Sequence, residues 1–228
     1  MILTVGHSTR TIEAFLELLQ AHAVRRLVDV RTVPRSRYNP QFNRDALPRT
    51  LGDAGIAYTH VAALGGLRPA RPDSANTGWR NSSFRGFADY MQTPEFAAGL
   101  ETLMQTAGPE QIAIMCAEAV PWRCHRSLIA DALLLHGSPV RHIMSASRAE
   151  PYALTSFANV EGTHIMYRLL IRWSDGIPCH VGYATARQQE RGAMNIWKLA
   201  GALALATLAA AIVVNLPDIR RYIKISCM

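Results

Sequence analysis

The stretch that decides the fold is Ile112-Ala-Ile-Met-Cys116-Ala-Glu118-Ala-Val-Pro121-Trp122-Arg123-Cys124-His125-Arg126-Ser-Leu-Ile-Ala-Asp-Ala-Leu-Leu-Leu-His136. Its first five residues are an unbroken apolar run, as a strand buried on both faces requires. From Arg123 to His136 the apolar residues recur with helical period, and Gly137 follows as the closing residue. A strand that passes through a short polar loop into an amphipathic helix is part of a βαβ unit.

Outward from this stretch the pattern repeats. Ile2 to Val5 reads as a buried strand ending in Gly6-His7-Ser8, and Thr11 can cap a helix carrying Ile12, Phe15, Leu16, Leu18 and Leu19. Leu27 to Val30 is a second strand running into a polar stretch from Arg31 to Asn43. A helix from about Arg44 to Ala54 leads to a third strand near Ile56 to His60. Ala62 to Phe84 is irregular, with Gly65-Gly66, Pro69, Pro72 and Gly78, and loops of that length inside a domain are usually functional. Helical pattern resumes over Gly86–Met91 and Pro94–Gln105, Val140 to Met144 makes a fifth strand, and Thr155 to Tyr167 suggests a short hairpin. Strands alternating with helices predict an α/β domain over residues 1–167 with a mostly parallel five-stranded sheet.

The chain has 228 residues and a formal net charge of +7, which favours an anionic partner: a phosphorylated small molecule, a nucleic acid or a membrane surface. Of its 24 basic residues only Lys198 and Lys224 are lysines. The first residues lack the basic n-region and long apolar run of a secretory signal, so a reducing compartment is expected. There the four cysteines, Cys116, Cys124, Cys179 and Cys227, are expected as core, catalytic or metal-binding residues rather than disulfides.

In open parallel sheets ligands bind outside the carboxyl ends of the strands. The residues there are His7 and Ser8 after the first strand, Asp29 and Arg31 at the second, His60 at the third, Cys116 and Glu118 at the fourth, and Ser145 with Arg148 after the fifth. The densest group joins Cys116 and Glu118 to Arg123, Cys124, His125 and Arg126 across one loop and a helix start, where backbone N–H groups favour an anion and lower a thiol pKa. Cys116, Cys124 and His125 together with His7 or His60 are also a possible ligand set. The seven residues between the cysteines are not a short zinc spacing, however, and no metal or cofactor is assigned. Arg31, Arg35 and Arg37, interleaved with Tyr38 and Phe42, suit phosphate contact and base stacking, and Gly65-Gly66 permits close backbone approach to a ligand.

Several of these motifs, in order, resemble the domain of unknown function 488 family: Val5-Gly6-His7-Ser8-Thr9-Arg10, Asp29-Val30-Arg31, Pro34-Arg35-Ser36-Arg37, Leu64-Gly65-Gly66, Cys116-Ala117-Glu118 and Cys124-His125-Arg126-Ser127. The resemblance covers about residues 1–167 and implies a compact, Rossmann-like, three-layer α/β domain of the bacterial or archaeal cytoplasm, without an assigned reaction.

Residues 168–193 read as a linker, and 194–228 as a membrane-anchor segment. Leu199 to Val214 is almost purely apolar, and residues 196–216 approach the length of a single transmembrane helix, with Trp197 and Tyr222 as interfacial aromatics and Arg220, Arg221 and Lys224 as a basic end. The segment resembles small single-span membrane proteins that begin at a methionine of their own, here Met194, as if two reading frames had been joined. The domain is therefore expected in the cytoplasm, tethered to the membrane.

The functional expectation is an enzyme acting on a phosphate-bearing or nucleic-acid-related substrate. His7, Cys116, Glu118, Cys124 and His125 are its catalytic candidates. Ser8, Asp29, Arg31, Arg35, Arg37, Gly65, Gly66, Arg123 and Arg126 are its binding candidates. A non-catalytic nucleotide- or nucleic-acid-binding module and a zinc-stabilised adaptor are the alternatives.

Overall fold

The computed structural model describes residues 1–168 and, by their backbone alone, the short strands Arg172–Ser174 and Ile177–Cys179. By its contacts the chain divides into two compact units, Met1–Leu170 and Ile171–Met228. In the second, the two short strands pair antiparallel, inside the stretch expected as a linker. The expected membrane segment lies outside the described residues. Among the described residues no helix is long and apolar enough to cross a membrane.

The first unit is an α/β domain. Its strands are β1 (Ile2–Gly6), β2 (Arg26–Asp29), β3 (Ala57–His60), β4 (Ile112–Cys116), β5 (Val140–Ser145) and β6 (Arg148–Pro151), in the spatial order β3-β2-β4-β1-β5-β6. The first five run parallel, as the sequence predicts. The sheet has six strands rather than five, because β6 folds straight back on β5 as an antiparallel edge. Its residues Arg-Ala-Glu-Pro have no apolar alternation to announce a strand, and one face of an edge strand is free to stay polar. Thr155 to Tyr167 contains the expected hairpin, β7 (Ala158–Glu161) against β8 (His164–Tyr167).

Alternate side chains of β1 feed two cores. Leu3 and Val5 pack with Phe15, Leu18 and Leu19 of α1 (Ile12–Ala21) and Leu47 and Leu51 of α2 (Leu47–Asp53). Ile2 packs with the opposite group, built on α3 (Ser82–Tyr90), α4 (Pro94–Thr106) and α5 (Arg126–Leu135). Each fully buried Leu or Phe in these layers contributes about 1.5–3 kcal/mol of transfer free energy. Thr11 caps α1 by accepting the Ala14 N–H, and Pro94 opens α4, both as the sequence indicates. The expected helix at Arg44 starts three residues later, and the one expected at Gly86 starts at Ser82, with Asn81 accepting the Ser83 N–H as its cap.

The connection from β1 leaves over the α1 face, and that from β4 leaves over the α5 face. Since β1 and β4 are neighbours, a crevice opens between their outgoing loops, the switch point where ligands bind in open sheets.

Residues 152–167 are held to α5 by a buried carboxylate. Asp131, fully buried, accepts from the Tyr152 hydroxyl at 2.7 Å, the Tyr167 hydroxyl at 2.8 Å, and the Thr155 backbone N–H and hydroxyl at 2.9 and 2.7 Å. Burial pushes its carboxyl pKa up despite these donors.

Candidate functional site

The segment after β4 does not enter its helix directly. Pro121–Arg123 forms one 3₁₀ turn, so Cys124 is extended (φ −131°, ψ 143°) and α5 begins at Arg126 rather than at Arg123. The proline fixes the turn, and the extended residue after it lets the Cys124 side chain turn inward instead of following a helix surface. Cys116 ends β4, and the imidazole of His125 stands beside both sulfurs. Its Nδ1 is 4.0 Å from Cys116 Sγ and 3.8 Å from Cys124 Sγ. Its Nε2 lies 3.2 Å from the Val30 carbonyl and donates there, so the neutral ring turns its Nδ1 lone pair to the sulfurs. Phe87 packs against the ring at 5.0 Å. Gly66 completes the fit: a Cβ added there would fall 2.3 Å from His125 Nδ1.

Arg126 is 1% exposed, and among the described residues no carboxylate lies within ion-pair distance of it. It donates from Nε to Cys124 Sγ at 3.3 Å, from Nη1 to the Thr4 hydroxyl at 3.4 Å and from Nη2 to the Glu118 carbonyl. Thr4 passes its own proton to Nδ1 of His142 at 2.7 Å. The two cysteines therefore differ. The Cys116 thiol donates to Cys124, which together with the Arg126 charge lowers the Cys124 pKa; the same bond and burial push the Cys116 thiol up. A cavity of about 260 Å³ opens over this cluster, lined by Gly66, Phe84, Glu118 and Arg123 as well as the three residues themselves.

A second cavity, of about 400 Å³, lies across Ala117 and Glu118, the segment shared by both. His7, Ser8, Arg31, Arg35, Ser36 and Asn39 line it. The end of β1 runs flush with the loop after β4: an added Cβ on Gly6 would sit 2.0 Å from the Glu118 carbonyl oxygen. Ser8 adopts a left-handed backbone (φ 51°), rare for a residue with a side chain, and donates its N–H to the Ala117 carbonyl. His7 donates from Nδ1 to the Ser8 carbonyl at 2.8 Å, accepts at Nε2 from Arg31 at 3.3 Å and stacks on Phe42. Burial lowers its pKa to about 4, and the nearby Arg31 charge acts in the same direction, so its ring is neutral at pH 7.

The expected residues thus divide. His7, Ser8, Arg31 and Arg35 line one cavity; Gly66, Cys116, Arg123, Cys124 and His125 line the other; Glu118 belongs to both. Arg31 is committed to Asp29, which it meets through Nε and through Nη2 at 2.6 Å, and to the Phe42 carbonyl. Asp29 also accepts from Tyr58, whose hydroxyl pKa rises through burial and the neighbouring carboxylate. His60 turns to the Arg31 carbonyl at 2.9 Å. Gly65 is buried against Thr32, and Arg37 is exposed outside both cavities. The fifth strand sends nothing into either one: the Ser145 carbonyl is bonded to His22, and Arg148 opens β6 and pairs with Glu150. Ser36, Asn39, Phe84, Thr4 and His142 escape a reading of the sequence, since nothing local separates them from ordinary loop or strand residues.

The family model described as domain of unknown function DUF488 matches residues 11–133, more than half of the chain. The chain belongs to that family. A second model, described as a family of unknown function (DUF6893), matches residues 197–228. No curated protein and no solved structure compared with the chain matches it. Within the DUF488 match lie all of the candidate residues except His7 and Ser8, which precede it.

Proposed function

We propose that the DUF488 domain is an enzyme acting on a phosphate-bearing substrate, a nucleotide or a nucleic-acid end, with its reacting group over the Cys116–Cys124–His125 cluster. The observation that carries this reading is the convergence of two sulfurs and an imidazole nitrogen on one cavity at the carboxyl end of β4. A packed core has no need of a buried arginine without a carboxylate. Here Arg126 supplies positive charge beneath the cavity, and the exposed Arg35 and Arg123 supply it at the two mouths, where a phosphate would be gripped. Glu118, between the cavities, is the candidate for proton transfer. Arg31 serves as a brace for Asp29 and His7.

The test is turnover of a panel of nucleoside phosphates and short oligonucleotides by the full chain. Cys116→Ser and Cys124→Ser are expected to lose about 100-fold or more of it with unchanged circular dichroism. Turnover at the wild-type rate in both variants would remove the cluster from the chemistry.

The second reading, a non-catalytic nucleic-acid module, is favoured by Tyr38 and Trp122, which are 92% and 64% exposed beside Arg37 and Arg123. Salt-dependent oligonucleotide binding that survives both cysteine variants, without turnover, would select it. In either reading we take residues 196–216 as a tether holding the domain at the cytoplasmic face of a membrane. Recovery of the native chain in the soluble fraction would exclude that.

A further inference from the structure

We propose that Cys116, Cys124 and His125 hold one divalent ion of the zinc class and leave its fourth position open to the cavity for an oxygen ligand. The ion site stands on the geometry alone; only the identity of the fourth ligand rests on the phosphate reading above.

The three ligand atoms lie within 4.8 Å of one another. Tetrahedral zinc with bonds of about 2.3 Å to sulfur and 2.05 Å to nitrogen needs sulfur–nitrogen separations of about 3.6 Å. The two found are 4.0 and 3.8 Å, so each sulfur–nitrogen pair has only a few tenths of an ångström to close. The imidazole is already in the ligand form, because its Nε2 donates to the Val30 carbonyl and its Nδ1 lone pair points to the sulfurs. That carbonyl and the Arg126 N–H on Cys124 Sγ are the outer contacts a metal site uses to orient its ligands. The long sequence spacing between the cysteines is no obstacle, since the strand end and the 3₁₀ turn bring them together in space.

Among the described residues no fourth His, Cys, Asp or Glu joins the group, and three protein ligands with a cavity beyond them are the mark of an open site rather than a purely structural one. Charge points the same way. A divalent ion and two thiolates cancel, while the buried Arg126 remains, so the fourth ligand is favoured as an anion: hydroxide or a phosphate oxygen. Glu118 lines the cavity without belonging to the ligand group, as the general acid–base glutamate does beside the Cys/His zinc of deaminases.

The experiment is metal analysis and cobalt(II) titration of the full chain, purified without chelators. One ion per chain is expected, with a thiolate-to-cobalt charge-transfer band that excess zinc abolishes. Cys124→Ser, Cys116→Ser and His125→Asn should each weaken cobalt binding by more than the roughly 10–100-fold that loss of an outer partner costs. Folding of each variant is checked by circular dichroism, so that one that unfolds is set aside for the other two. No bound metal together with no charge-transfer band overturns the site and leaves the proposed enzyme to work with the two cysteines and His125 without an ion. A cobalt spectrum that does not change on adding inorganic phosphate overturns a phosphate oxygen as the fourth ligand and leaves the ion site standing.

Discussion

Gly66 marks how closely the cluster is fitted. Its missing side chain is the space taken by His125, 2.3 Å from where a methyl group would be, whereas the corresponding atom at Gly6 would meet a backbone carbonyl at 2.0 Å. The two substitutions should separate the site from the fold. Gly66→Ala is expected to tilt the imidazole and reduce cobalt affinity on the order of 10-fold or more, with a small change in thermal midpoint. Gly6→Ala is expected to destabilise the whole domain by about 2 kcal/mol, since backbone must shift to admit it. Equal cobalt affinity in wild type and Gly66→Ala, by titration, would show that the ring tolerates the methyl group. At this scale the sequence was half legible. A strand end, a loop and a helix start had to bring Cys116 near Cys124 and His125. The inward turn of Cys124 depends on a 3₁₀ turn at Pro121 that no periodicity announces, and Thr4 and His142 meet Arg126 only across strands brought together from distant parts of the chain.

Among the elements, α5 has two unlike faces of duty: Arg126 at its start serves the cavity, and Asp131 a turn and a half later clamps the returning chain. Asp131→Ala leaves the hydroxyls of Tyr152 and Tyr167 and the Thr155 groups without their acceptor. A cost of roughly 3 kcal/mol or more is expected, because each orphaned buried group costs about 1–3 kcal/mol. Urea denaturation measures the total, and hydrogen exchange should show the loss concentrated in residues 152–167. Unchanged exchange there would mean the hairpin is held by its apolar contacts, Ile165 and Tyr167 among them. The helices and the five parallel strands follow from apolar period and caps. β6 was not legible, because pairing with β5 rather than its own pattern makes it a strand. Nor was it visible that β5 would turn its end away from the cavities.

For the molecule as a whole, two buried neutral histidines couple stability to pH. Burial lowers the pKa of both His7 and His142 to about 4, and in His142 the Arg126 charge adds to the effect. The unfolded chain takes up these protons near pH 6.5, the folded chain only near 4. Between those values the unfolded state binds more protons, so this contribution is complete above about pH 6.5 and is lost as pH falls toward 4. Asp131, with its raised pKa, acts in the opposite sense, and the difference between variants isolates the imidazoles. His142→Gln should flatten the fall of the urea midpoint between pH 7.5 and 5 relative to wild type. Parallel curves would mean that His142 titrates alike in both states. The sequence shows the basic excess but spreads it along the chain. Only the fold sets Arg35 and Arg123 at the mouths of two cavities while burying Arg31 and Arg126 as internal braces.

The position of β1 has a consequence for synthesis. The strand nearest the start of the chain is interior to the sheet, pairing with residues 112–116 on one side and 140–142 on the other. While the first hundred residues emerge from a ribosome, β2 and β3 have each other, but β1 has neither of its neighbours. Both of its edges must wait, open or shielded by a chaperone, until β4 and β5 follow. Such long-range closure slows folding and makes the nascent chain prone to aggregation. The larger cavity takes its walls from the loops after β1 and β4, so it cannot form before that closure is made.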